Sequence, residues 1–234
     1  MKVVKASFKG LAQCFKGSRY TKSRYLELLA LQYDLLQKAR KEGLMAIEQD
    51  VEAPHESPVF KKYATISADH HLVEFITDYL RMMVSGNLNA HEIEALMDAE
   101  IETHHQEAHA PVAAIGRLAG GLPAFGIVAA VLGVVNTMGS VGQPPAVLGA
   151  MIGSALVGTF LGILLAYGVF EPLGGLMEQR TAEGAKEYEC VKTTLLASMQ
   201  GYAPATAIEF GRKVLYSDVR PSFTELESHV KGKK

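Results

Sequence analysis

The sequence predicts an all-α fold: an integral membrane helical hairpin joined to a helical cytoplasmic domain. Three observations carry this. No Asp, Glu, Lys or Arg occurs from 118 through 170. A soluble helix needs a polar outer face, whereas two membrane helices of about 20 apolar residues each fit that run. In its middle stands "NTMGSVGQPP", Asn136 to Pro145, a cluster of helix breakers that reads as a turn. Outside the run, apolar residues recur at helical spacing among charged ones.

The charge distribution orients the hairpin. Its turn holds no Lys or Arg, and the flanks hold all 23 basic residues. The turn is therefore expected outside and both flanks in the cytoplasm. The organisation is 1–117, a cytoplasmic helical region; 118–170, two transmembrane helices with an external turn near 136–145; and 171–234, a cytoplasmic helical tail. A net charge of −2 implies no strong overall attraction to nucleic acid or anionic lipid. "MKVVKASFKGLAQCFKG" has no long apolar core, so no signal peptide is predicted. Cys14 and Cys190 lack ligand spacing and read as reduced thiols.

Residues 1–21 are basic and punctuated by glycine. Leu28, Leu29, Leu31, Leu35 and Leu36 form an apolar stripe predicting a helix or helix pair over 22–49, with Gly43 as a break or bend. "EAPHESP", 52–58, reads as a loop. A second helix is predicted from about Ser67, its N-cap, to Gly86, its C′ residue. A third starts near Asn89 and approaches the membrane at Arg117. Beyond the hairpin, "MEQRTAEGAKEYECVKTTLLASMQGYAP" extends the second span as a helix, and "PATAIEFGRKVLYS" is another. Ser222 and Glu225 stand at capping-box spacing.

Several residues carry candidate chemistry, each beside a plainer reading. Gly149, Gly153, Gly158 and Gly162 contain G-x-x-x-G pairs, which let helices approach closely in lipid. Pro123 and Pro172 each remove a backbone hydrogen bond and free the carbonyl of Ala119 or Gly168. They are either interfacial kinks or flexible joints lining a hydrated path. Thr159 either bonds its own helix backbone or faces a pore. His105 and His109 share a helix face, but no third ligand is evident, so a solvated helix is favoured over a metal site. Arg40 and Glu48 lie within about 80° of each other if one helix continues through Gly43; they are a shared charged face or solvated surface. With no nucleophile–base pair, cofactor loop or complete metal site, a hydrolytic enzyme is not expected and no cofactor is implied.

"GLPAFGIVAAVLGVV", "VGTFLGILLAYGVFEPL", "HEIEALMDAEIETH", "RYTKSRYLELLALQYDLLQKARKEG" and "GYAPATAIEFGRKVLYSDVRPSFTELE" together resemble the MotA family of flagellar-motor stator subunits, over the whole chain. Family members have four membrane helices, and this sequence shows the last two. The resemblance implies a multi-pass protein of the bacterial inner membrane with both termini cytoplasmic. It implies a homo-oligomer around MotB, whose membrane helix supplies an aspartate, and proton flow coupled to torque on the rotor protein FliG. Pro123 and Pro172 match the family's two mechanistic prolines, and Arg40 and Glu48 its rotor-facing charges. Sodium-driven relatives carry a threonine where Ala130 stands, near Thr159, so the resemblance implies protons as the transported ion. Related alternatives are an ExbB- or TolQ-type energiser subunit, which the long "EFGRKVLYSDVRPSFTELE" tail disfavours, and a non-conducting membrane scaffold.

Overall fold

The structure, a computed structural model, describes residues 1–86 and 89–232. Every regular element among these residues is helical. The chain divides into two compact units, Met1–Gly17 with Gln106–Thr181, and Ser18–His105 with Ala182–Lys234. Compactness reflects contacts rather than membrane level, so these limits differ from the expected topological boundaries at 117 and 170.

The second unit is built on α2, Lys22–Glu42, whose N-cap Thr21 accepts a hydrogen bond from the Arg24 N–H. Its five stripe leucines are all buried. They join Tyr25, Phe60, Phe75, Ile76 and Leu195 in one core. The helix stops at Gly43, where φ is +93°, a conformation that costs glycine little and other residues much. A 3₁₀ turn, Leu44–Ile47, and α3, Glu48–Glu52, follow. Of the two expectations over 22–49, a helix or a helix pair, the structure shows the break at Gly43, with α2 before it and two short helical segments after it. Ser57 caps α4, Pro58–Lys61, by accepting from the N–H groups of Val59 and Phe60.

The short α5, Ala64–Ser67, precedes α6, His70–Ser85. The N-cap position of α6 is Asp69, not Ser67, because the Ser67 hydroxyl instead donates to the Phe60 carbonyl at 2.6 Å. Gly86 ends α6 in the left-handed region, as its place after the last apolar residue predicts. Asn89 opens α7, Ala90–Met138. Its side-chain oxygen accepts from the N–H groups of His91 and Glu92, and Glu92 accepts from the Asn89 N–H. From Ala182 onward α9, Glu171–Met199, belongs to this unit, with α10, Pro204–Lys213, and α11, Phe223–Lys231. The Ser222–Glu225 capping box forms as its spacing indicates.

At the heart of this unit Arg24 binds both carboxylate oxygens of Glu187, 163 positions away. It also donates to Asp69 at 2.8 Å and to the Thr65 carbonyl at 2.9 Å. Burial pushes the Glu187 carboxyl above its ordinary pKa, and the guanidinium opposes that rise.

The first unit holds α1, Lys2–Cys14, the part of α7 from 106, α8, Pro145–Leu165, a π turn over Ala166–Phe170, and the start of α9. Val112, Ile115 and Met177 form a small core, with Leu11, Cys14 and Phe170 packed on it. The 13-residue α1 is an element that glycine punctuation hid in the sequence.

Candidate functional site

Two helices, Ala90–Met138 and Pro145–Met199 with its π turn, are long and apolar enough to cross a membrane. Only 11% of each apolar window is buried within the chain. A buried soluble helix would be covered; these faces require lipid or further protein.

The two spans meet through small residues. A Cβ added at Gly126 would lie 2.8 Å from the Gly158 carbonyl oxygen, and one at Gly162 would lie 2.6 Å from that of Leu122. At Gly133 it would overlap Ala155. Backbone, not a flexible side chain, is what stands in the way at Gly126 and Gly162, so glycine permits this crossing. Of the paired glycines noted in the sequence, Gly158 and Gly162 pack within the hairpin, while Gly149 and Gly153 have nothing within 4 Å.

Thr159 sits at this crossing, half-buried. Its hydroxyl donates at 3.3 Å to the carbonyl of Gly126, on the other span. That partner was not legible in the sequence, where the choice lay between Thr159's own helix and a pore. Pro123, Gly126 and Ala130 fall within about 60° of one another around α7, so Thr159 bonds to the face that carries Pro123 and Ala130. Both of those side chains are half-buried.

Pro123 lies inside α7, as does Pro111. Pro172 is exposed and stands two residues past the end of the π turn, after Glu171. There the Glu171 N–H donates to the Ala166 carbonyl, five residues back. In an α register the proline ring would press on the carbonyl of Gly168; the wider turn moves it away.

Arg40 and Glu48 are both exposed in the second unit. They do not share one helix: the break at Gly43 lies between them, and Glu48 opens α3. The continuous-helix reading of their shared face is corrected accordingly. Arg40 borders a concavity of about 420 Å³ lined by Leu36, Leu44, Met83 and Tyr202. Glu48 borders another of about 250 Å³, with Met45, Val51 and Arg81. His104 contacts the Tyr188 hydroxyl at 3.3 Å, and among the described residues no three His, Cys, Asp or Glu side chains cluster as metal ligands.

Among the described residues, two glycine-packed spans free of Asp, Glu, Lys and Arg joined to a charged helical mass define the class as a helical membrane protein. The model of the MotA/TolQ/ExbB proton channel family matches residues 67–190, and that of the motility protein A N-terminal region matches 1–43. Motility protein A of Escherichia coli (strain K12) is 53% identical over 233 residues, covering 100% of this chain and 79% of that one. The chain is similar in structure to C. jejuni MotAB, with TM-score 0.73 and 24% identity over 94% of this chain and 78% of that one. It is also similar to the MotAB stator complex of Bacillus subtilis, with TM-score 0.68 and 25% identity over 89% and 73%. The chain belongs to the MotA/TolQ/ExbB proton channel family. Its function is that of a flagellar stator proton channel subunit.

Proposed function

We propose that this chain assembles with further copies of itself around MotB, and that protons drive the assembly to turn the rotor. The observation that carries this reading is the uncharged wall. Between Arg117 and Glu171 the chain offers no Asp, Glu, Lys, Arg or His side chain, so a proton path along it requires a carboxylate from a partner. One carboxylate at the bilayer centre costs about 2.5–3.5 kcal/mol on insertion scales. Small side chains and a hydrated lining limit that cost.

Protonation of the partner's aspartate removes its charge, and release restores it. This changes hydration and pairing at the shared face, with Pro123 and Pro172 as joints. Arg40 and Glu48 meet FliG, where surface charges steer repeated encounters more than they hold them. The flanks lie in the cytoplasm, because they hold every basic residue.

Ala130 offers a methyl group and no oxygen ligand, which favours protons over sodium. Expressed in a strain lacking its own stator genes, together with MotB, the chain should restore swimming that follows the proton gradient. Rotation that stops when sodium is replaced by potassium, at fixed membrane potential and pH gradient, would overturn proton coupling. Failure to restore any motility at normal membrane levels would count against the stator role.

A further inference from the structure

We propose that α1 is an interfacial helix that selects anionic phospholipid headgroups; the inference rests on the membrane placement of the hairpin. Three faces of α1 differ in character at 100° per residue. Ser7, Gly10 and Cys14 face the hairpin: Ser7 is buried, Gly10 lies against Met177, and the Cys14 thiol approaches the Leu173 carbonyl at 4.0 Å. Val4, Phe8 and Phe15 fall within roughly 60° of one another, and they are 57%, 70% and 82% exposed. Lys2, Lys5 and Lys9 occupy a second arc of roughly 60°, about 120° from the apolar one.

The packing sets the level of the helix. Leu11 and Cys14 rest on Val112, Ile115 and Met177, with Phe170 beside them. These residues flank Arg117 and Glu171, where the chain enters and leaves its uncharged run. Immersion would place three lysines in hydrocarbon at high cost, while full exposure would leave two phenylalanines in water. The headgroup boundary accommodates both stripes.

Charge then decides the occupant. Residues 1–26 contain seven Lys or Arg and no acid, a local excess concealed by the overall charge of −2. Basic residues at a membrane surface attract anionic lipid over neutral lipid.

The chain contains no tryptophan, so Phe8→Trp is a single reporter at an exposed site. The full-length variant is reconstituted in vesicles of phosphatidylcholine and phosphatidylglycerol, with bromine on the chains of one lipid or the other. Fluorescence should be quenched in both, and about twofold more strongly by brominated phosphatidylglycerol at equal mole fraction. Adding Lys2→Gln, Lys5→Gln and Lys9→Gln should equalise the two. Equal quenching with the lysines intact overturns the lipid selectivity, and absence of quenching by either lipid overturns the interfacial placement. Val131→Trp, in the first span, separates the levels of failure. Quenching there but not at position 8 rejects only the α1 inference, whereas no quenching at 131 rejects the membrane placement on which it rests.

Discussion

The hydroxyl of Thr159 donates to the carbonyl of Gly126, 33 positions earlier, and so ties the second span to the first. The bond falls within the glycine crossing, at Gly126, and on the face that carries Pro123 and Ala130. A rearrangement that slides the spans past each other must break or exchange it. Its net strength in a membrane is of the order of 0.6 kcal/mol and at most about 1.7, weak enough to remake in each cycle.

Replacing Thr159 by valine keeps the shape and removes the donor, whereas serine keeps the donor. Thr159→Val should lower the thermal stability of the detergent-solubilised chain modestly and reduce torque, and Thr159→Ser should stay near the parent. Torque from Thr159→Val equal to that of the parent, measured on tethered cells, would show that the clip has no part in rotation.

The glycine crossing gives a sharper contrast. Gly162→Ala places a methyl group against the Leu122 carbonyl, so the spans must separate. Overpacking of this kind costs about 1–3 kcal/mol. Gly149→Ala meets nothing within 4 Å in this chain and should leave the hairpin's own packing intact. Thermal melts of the two variants should therefore diverge. If Gly162→Ala melts with the parent, the spans do not pack at this distance.

Removal of Arg24 should be among the most damaging changes in the second unit. Arg24→Met leaves the Glu187 carboxylate buried without its main partner, at a cost of about 3–5 kcal/mol. The pH dependence carries a definite sign. Burial already raises the Glu187 pKa, and loss of the guanidinium raises it further. A carboxyl raised on folding holds its proton in the native state while the unfolded chain releases it. Stability of Arg24→Met should thus be highest below the ordinary carboxylate pKa of about 4.3 and fall as pH rises toward the folded value. Adding Glu187→Gln should flatten that slope; a slope unchanged by this second substitution would assign the effect to another group.

The contrast between these residues shows what sequence could and could not reveal. The hairpin was legible because membrane insertion imposes a one-dimensional rule, the absence of charge from 118 to 170. Gly86 and the Ser222–Glu225 box were legible because helix ends are local chemistry. Gly43 was ambiguous, since glycine is tolerated within a helix at about 1 kcal/mol; only the backbone shows that it terminates α2. The Arg24–Glu187 pair and the Thr159–Gly126 bond join residues far apart in the chain, and no periodicity announces such partners. In α1 the signal was present in the spacing of Val4, Phe8, Leu11 and Phe15, but Gly10 and Gly17 obscured it.

The proposed rotor face predicts a charge dependence that does not require a common helix. Arg40→Glu and Glu48→Lys change exposed side chains on either side of the Gly43 break. Each should reduce torque while membrane levels stay normal, since exposed substitutions rarely shift stability by more than about 0.5 kcal/mol. An opposite-charge change on FliG should recover part of the loss. Full swimming by the double variant with an unaltered rotor would remove these residues from the contact.

Pro172 provides the most direct test of the joints. The π turn over Ala166–Phe170 places one additional residue in the helix just before it. Pro172→Leu supplies an N–H and removes the ring, so an α register through Gly168 becomes available. Adopting that register would rotate everything beyond the turn by about 100° relative to α8. Met177 would then leave Val112 and Ile115, against which it packs. The small core therefore opposes the α register that the variant makes available. Leucine suits lipid, so insertion should be preserved while rotation is impaired. Pro172→Ala supplies the same N–H with less bulk and should behave likewise if the register is the cause. Pro123→Leu, lacking a π turn beside it, should impair rotation without the register shift. The check is swimming speed at matched membrane levels, with parental speed from both Pro172→Leu and Pro123→Leu as the result that would make the prolines incidental.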